Sequence, residues 1–213
     1  MIWPTQQELV KEAEGKRDSK DSSRLNYAGT EAGVLPRFPE TKSVEELVAP
    51  ISSVLDDLTG GWALSYANLE PETERSPIGI SFLLTNLAYG ACGLLLVQQQ
   101  NLVLGGLTEL ACIASFGYHY SQLKFGQAGS RIVRLSLLVD YLFALSAILV
   151  GSTQYFVLAH QMPSLEVLGG GALAVASLGA CWVWEAGLPY IVFHSLWHLF
   201  SAYTGYMIGS AVV

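Results

Sequence analysis

Three histidines, one aspartate and one serine are the residues of this chain whose types and spacing could support chemistry. Ser115 and His119 lie four residues apart, His194 and His198 repeat that spacing, and Asp140 stands between the two pairs. On an α-helix, residues four apart lie on the same face, about one turn from each other. Because Asp140 lies in an otherwise apolar run, it is by itself a candidate functional residue.

The chemistry that needs such a set is a zinc site. Neutral imidazoles suit Zn²⁺, and three of them with water in the fourth position form the open arrangement of catalytic sites. Zinc lowers the pKa of that water toward ~7, which supplies hydroxide at neutral pH. Asp140 would accept a proton from the water or orient it, and Ser115 would hydrogen-bond the water or a substrate carbonyl. The pattern therefore predicts zinc bound by His119, His194 and His198.

Two other interpretations of the histidines stay open on the sequence. The imidazoles could be structural groups that hydrogen-bond to neighbouring carbonyls, or they could ligate haem or chlorophyll. A tetrapyrrole would use histidines singly or in cross-helix pairs, and it would need neither Asp140 nor Ser115. Asp140 could also simply pair with Arg134 or Tyr118, and Ser115 could bond to its own backbone.

The composition indicates the kind of protein that must position these residues. Of the 213 residues, 51% are hydrophobic and 14% are charged, and the mean hydropathy is +0.38. These values are typical of a membrane protein. All but seven of the charged residues precede residue 76, and the net charge is −7. No basic patch is left for a nucleic acid, so nucleic-acid binding is excluded.

The apolar part of the chain predicts an all-α membrane protein, a compact bundle of about five transmembrane helices. Each candidate span is close to the ~20 residues that an α-helix needs to cross a bilayer. Short links make neighbours antiparallel, and glycines at 90, 93, 105, 106 and 169–171 would let helices approach closely. The predicted spans are 78–97, 102–122, 132–158, 165–185 and 188–212.

A polar, acidic and partly helical region is predicted before the bundle, so that the chain divides into 1–75 and 76–213. Residues 1–42 are expected to be largely irregular, with a short helix near 6–15. Ser43 and Glu46 form a capping box that predicts the start of a helix. Gly60 predicts the end of this helix, and Pro50 should kink or split it. Residues 61–77 are either an interfacial segment or a linker.

Orientation follows from three basic residues, Lys124, Arg131 and Arg134, which flank the link between the second and third spans. Under the positive-inside rule this link faces the cytoplasm, or an organelle matrix or stroma. With five spans the N-terminus of this multi-pass protein lies on the same side. At about 1.5 Å per residue, the candidate zinc ligands and Asp140 lie within roughly 10–15 Å of that face. Three helices thus deliver polar residues to one leaflet.

The chain resembles the CREST superfamily of membrane hydrolases in the order of these residues. That order is Ser-x-x-x-His, then Asp on the next span, then His-x-x-x-His on the last span. That superfamily includes alkaline ceramidases and the progestin and adiponectin receptors, and the similarity covers roughly residues 102–213. It implies that His119, His194 and His198 bind zinc and that Asp140 and Ser115 contact its water. The implied activity is ceramidase-like hydrolysis of an amide or ester bond in a membrane lipid.

The number of spans departs from the family pattern. Members usually have seven spans, whereas this chain has five predicted ones, with one instead of three between the aspartate helix and the last helix. A lipid cavity would then be smaller or be completed by a protein partner. The alternative function is a non-catalytic subunit or receptor-like protein of a larger membrane complex, with a structural metal or a bound tetrapyrrole.

Overall fold

The computed structural model describes residues 44–212, except 65, 66, 68, 127–129 and 161. Its described residues form helices and no strands, and they belong to one compact unit, Lys42–Val213. A 3-10 turn at Trp62–Leu64 follows the first helix, and a π-helical turn at Thr153–Leu158 extends the fifth. The predicted helix near 6–15 and the cap at Ser43 lie outside the described residues. The helices are α1 (Val44–Thr59), α2 (Pro77–Thr85), α3 (Leu87–Gln98), α4 (Leu102–Phe125), α5 (Arg131–Ser152), α6 (Leu165–Val183) and α7 (Gly187–Ser210).

Four of the predicted spans are confirmed as helices long and apolar enough to cross a bilayer, which is the mark of a multi-pass membrane protein. Helix α7 is 24 residues long, but its two histidines and three tyrosines lower its hydropathy, and it is not among the four. The fifth span and the predicted side of the N-terminus therefore stay predictions. The four helical segments are Pro77–Gln98, Leu102–Phe125, Arg131–Leu158 and Leu165–Val183.

The order in which the helices pack leaves a gap on one side of the bundle. Helix α5 packs on α4, α4 on α3, α3 on α7, and α7 on α6. Helices α5 and α6 therefore stand at the two ends of this series, and they make no extensive contact with each other. A cleft lies between them.

Glycines set the closest helix crossings, as the sequence predicts. A Cβ atom at Gly105 of α4 would lie 2.9 Å from the carbonyl oxygen of Gly93 in α3, and one at Gly170 of α6 would lie 2.5 Å from a threonine hydroxyl of α7. Only glycine allows this approach. At Gly106 and Gly169, by contrast, an added Cβ meets nothing within 4 Å, so these two glycines do not serve helix packing.

Helix α1 ends as predicted and is not split by its proline. Pro50 lies inside the continuous helix Val44–Thr59. Gly60 has a φ of +63°, and the N–H of Gly61 donates to the carbonyl of Asp56 at 2.8 Å. This is the Schellman arrangement, in which a glycine in the left-handed region satisfies the last carbonyls of a helix.

The segment that follows α1 folds back over the end of the bundle that carries the basic residues. We call the described residues of 61–73, which are all except 65, 66 and 68, the strap. Leu64, Ala67 and Leu69 of the strap are buried, with exposures of 0%, 1% and 6%. This burial removes the apolar surface of these side chains from water. Leu64 packs with Tyr118, Val133 and Leu137, and the other two pack with Phe82, Leu83, Leu123, Cys181 and Tyr190.

Backbone contacts hold the strap against the C-terminal end of α4. The N–H groups of Glu72 and Thr73 donate to the carbonyls of Lys124 and Leu123 at 3.2 and 3.1 Å. Gly126 has a φ of +67°, and a Cβ atom there would lie 2.7 Å from the carbonyl oxygen of Leu69. The strap is thus docked on the helices rather than extended as a linker.

Candidate metal centre

The three predicted ligands come together in a buried triangle. The ring centroids lie 4.7 Å apart for His119 and His194, 4.9 Å for His119 and His198, and 4.8 Å for His194 and His198. One nitrogen from each ring lies within 4.8 Å of the other two. All three side chains are buried, with exposures of 0%, 5% and 1%. The group could hold a metal ion.

Aromatic side chains pack against this histidine triangle. The ring of Phe82, from α2, lies 4.6 Å from His119 and 5.8 Å from both His194 and His198. Tyr190 adds a contact with His194 at 5.0 Å. Such an apolar shell limits access of water and lowers the local dielectric constant, which strengthens binding of a cation to its ligands.

The hydrogen bonds of Gln122 determine which nitrogen of His119 is free. The Gln122 amide nitrogen donates to the carbonyl of Ala67 at 2.7 Å, so the amide oxygen is the atom that lies 3.0 Å from Nδ1 of His119. An oxygen only accepts, hence Nδ1 carries the proton. In the neutral ring Nε2 is then a bare lone pair.

Thr85 determines in the same way which nitrogen of His198 carries the proton. Its hydroxyl donates to the carbonyl of Phe82 at 2.6 Å, which uses its only hydrogen. Toward Nδ1 of His198, at 2.8 Å, the hydroxyl oxygen therefore accepts. His198 consequently carries its proton on Nδ1 and also leaves Nε2 as a lone pair.

These two lone pairs face each other. Nε2 of His119 lies 3.2 Å from Nε2 of His198, a separation at which two bare acceptors repel unless a cation lies between them. Two nitrogens bound at 2.0–2.1 Å to one tetrahedral zinc ion are about 3.3 Å apart. In addition, Nδ1 of His194 is buried without a hydrogen-bond partner among the described residues. The arrangement of these three histidines therefore fits the binding of a metal ion.

The predicted acid and hydroxyl lie beside the triangle and not within it. Asp140 is outside the group of three ligands, and Ser115 of α4 lies near its carboxylate. Both line one cavity with His194 and His198. Arg134, the alternative partner of Asp140, instead forms an ion pair with Asp56 of α1. The carboxylate thus remains directed to the cavity.

The cavity has a volume of about 530 Å³ and continues from its polar end into an apolar body. Along α5 its lining runs from Asp140 to Ser152, which is about 18 Å at 1.5 Å per residue. A bilayer core of ~30 Å contains two layers of acyl chains, so one chain covers about 15 Å. The cavity is thus as long as one acyl chain.

This cavity opens sideways between α5 and α6. Leu145 and Ile148 of α5 and Val175 and Trp182 of α6 line it, and at least half of each of these side chains is exposed. Because α5 and α6 do not close on each other, the opening lies on the apolar lateral side of the bundle, the side that a bilayer would cover.

His119 and His198 do not fit as a pair of ligands on opposite faces of a tetrapyrrole. Two imidazole nitrogens on opposite faces of a macrocycle, each about 2.0 Å from its metal, would be about 4 Å apart, whereas Nε2 of His119 and Nε2 of His198 are 3.2 Å apart. Phe82 packs directly against both rings. His160, the fourth histidine, is exposed and takes no part in the group.

Two residues of this centre escape prediction from the sequence. Gln122 follows His119 by three positions and so shares its helix face, a signal that could have identified it. Thr85 carries no such signal, since 113 residues separate it from His198. The docking of the strap also depends on contacts that no local pattern indicates.

No protein-family model, curated protein or solved structure matches this chain. The function is therefore inferred from the geometry of the site.

Proposed function

We propose that the protein is an integral membrane, zinc-dependent hydrolase that cleaves an amide or ester bond of a lipid. The observation that carries the proposal is the 3.2 Å separation between Nε2 of His119 and Nε2 of His198, each with its Nδ1 proton committed elsewhere. An all-nitrogen set of three buried, neutral imidazoles suits zinc better than magnesium or calcium, which prefer oxygen ligands. His119, His194 and His198 are the proposed ligands.

The reaction needs a base and a proton donor, and Asp140 is proposed for both. Zinc, when bound, supplies a Lewis acid that activates water at neutral pH. Asp140 accepts the proton of the attacking water and returns it to the leaving nitrogen or oxygen as the bond from the carbonyl carbon breaks. Ser115, which lines the same cavity near that carboxylate, orients it. The products are a carboxylic acid and an amine or alcohol.

A lipid is the proposed substrate because of the shape and lining of the cavity. The cavity is mostly apolar, is as long as one acyl chain, and opens between α5 and α6 toward the bilayer. A lipid could enter from the side with its scissile bond near Asp140. The resemblance to the CREST superfamily also supports a ceramidase-like activity, and the lateral cleft leaves room for a protein partner as well.

Metal content and lipid turnover, measured on one set of purified proteins, test this function. The set is the wild type, His194→Ala, Asp140→Ala, and His160→Ala as a matched control at an exposed histidine. We expect about one zinc per chain in all except His194→Ala. Turnover of N-acyl and ester lipids should fall by about 10²–10⁴-fold in Asp140→Ala, the usual contribution of general acid–base catalysis, and persist in His160→Ala.

Two results would count against the proposal in different ways. Zinc that is absent from the wild type, or retained by His194→Ala, would exclude the metal centre. Zinc that depends on His194 without turnover of any lipid would favour the alternative, a non-catalytic subunit with a structural metal.

A further inference from the structure

Gln122 connects the strap to the histidine triangle. Its side chain is fully buried, with an exposure of 0%, and lies on α4 one turn from His119. The amide nitrogen donates to the carbonyl of Ala67 in the strap at 2.7 Å, and the amide oxygen accepts from Nδ1 of His119 at 3.0 Å. A single amide therefore joins the backbone of one segment to a proposed ligand on another.

We propose that Gln122 is a positioning residue that makes the strap part of the metal centre, an inference that rests on the proposed zinc site. Groups that hydrogen-bond the second nitrogen of a metal-binding histidine fix its tautomer and ring orientation, and their loss costs about 10–100-fold in metal affinity. Here the orienting group is itself held by Ala67, so the position of the strap determines how His119 presents Nε2.

The strap can hold Gln122 because its own backbone is fixed. Ala67 is buried and has a φ of +65°, a conformation that a non-glycine residue keeps only where its surroundings impose it. Nearby, Thr73 donates to the carbonyl of Leu123 at 3.1 Å. The Gln122 amide does not flip, since a flip would set its oxygen against the carbonyl oxygen of Ala67, and both atoms only accept.

Coupling between the strap and the metal must then act in both directions. A docked strap favours the metal-binding orientation of His119, and by thermodynamic linkage a bound metal favours the docked strap. An apolar residue at position 122 could fill the space. It would leave Nδ1 of His119 and the carbonyl of Ala67 buried without partners, which is unfavourable.

Two substitutions separate the two hydrogen bonds of Gln122. Gln122→Leu removes both. Gln122→Glu keeps an acceptor for His119 but sets a carboxylate oxygen against the Ala67 carbonyl. Gln154→Leu is the matched control, because the Gln154 amide bonds Asn101 at the other end of the bundle. The measurements are zinc affinity, by competition with a chelator, and amide hydrogen exchange of the strap with and without zinc.

We expect zinc affinity to fall about 10–100-fold in Gln122→Leu and by a smaller factor in Gln122→Glu, which keeps an acceptor for His119 but loses the bond to the strap. Exchange in the strap should be faster in both variants, and zinc should slow it in the wild type and in Gln154→Leu. Wild-type affinity in either Gln122 variant, when folded, would overturn the positioning role alone. A wild type that binds no zinc would overturn the proposed function and this inference together.

Discussion

Nε2 of His119 and Nε2 of His198 lie 3.2 Å apart although 79 residues separate them in the chain. Each ring has its other nitrogen in a hydrogen bond, His119 with Gln122 and His198 with Thr85. The buried centre thus brings two lone pairs together, and a cation between them would turn a repulsive contact into an attractive one. Four predictions follow from this contact and from the helices around it.

Removal of the metal should lower the thermal stability of the protein. A ligand present at 100 times its Kd stabilises the folded state by about 2.7 kcal/mol, and for 150–250 residues each kcal/mol shifts Tm by about 2–4 °C. We expect a chelator to lower Tm by about 5–10 °C, measured by differential scanning fluorimetry in detergent. His198→Ala is the control and should not respond to the chelator. A wild-type Tm that is the same with and without chelator would contradict the prediction.

Thr85→Val should weaken metal binding by about 10–100-fold, because the isosteric side chain cannot accept the proton of Nδ1 of His198. Zinc affinity by chelator competition is the measurement. Thr108→Val is a matched control, since the Thr108 hydroxyl likewise donates to a helix carbonyl, that of Leu104 at 2.8 Å, but contacts no ligand. Equal zinc affinities of Thr85→Val and Thr108→Val would contradict this prediction.

Gly205→Leu should shorten the cavity without disturbing the metal. Gly205 lines the cavity, and an added Cβ meets nothing within 4 Å. Each buried methylene contributes about 0.8 kcal/mol, so exclusion of two or three should lower the turnover of long-chain lipids roughly 10- to 100-fold. Zinc content and the turnover of short-chain lipids should be preserved.

Gly169→Leu is the control for the cavity, because Gly169 is exposed on α6 with open space around it and does not line the cavity. Equal turnover of long and short lipids in Gly205→Leu would show that the cavity does not hold the acyl chain.

Gly105→Ala and Gly106→Ala, neighbours on α4, should differ in stability. A methyl group at Gly105 would meet the backbone of α3 at 2.9 Å, and overpacking of this kind costs about 1–3 kcal/mol. At Gly106 the methyl group meets open space, and the helix propensity of alanine stabilises by up to about 1 kcal/mol. Thermal unfolding in detergent should therefore place the Tm of Gly105→Ala below that of Gly106→Ala; the reverse order would refute the close crossing at Gly93.

Most of the helical architecture was accessible from the sequence, because a bilayer imposes a local requirement. A chain that crosses it must satisfy its backbone hydrogen bonds internally and remain apolar for ~20 residues. Four predicted spans accordingly match the helices to within a few residues. The fifth predicted span, 188–212, also coincides with a helix, α7 (Gly187–Ser210), but His194 and His198, which build the site, reduce its hydropathy, and it is not among the four candidate spans.

The sequence by itself also determined which faces carry the candidate ligands, because a spacing of four residues sets a helix face wherever the helix is placed. Only the tertiary structure decided that His119 and His198 meet, that Gln122 and Thr85 direct their lone pairs toward each other, and that the strap covers them. Apart from the bond between Gln122 and His119, which are three positions apart, these contacts join residues 55 to 113 positions apart, and they depend on how whole helices pack. Local spacing contains no information on that packing, so neither the tautomers nor the cavity between α5 and α6 could be predicted from it.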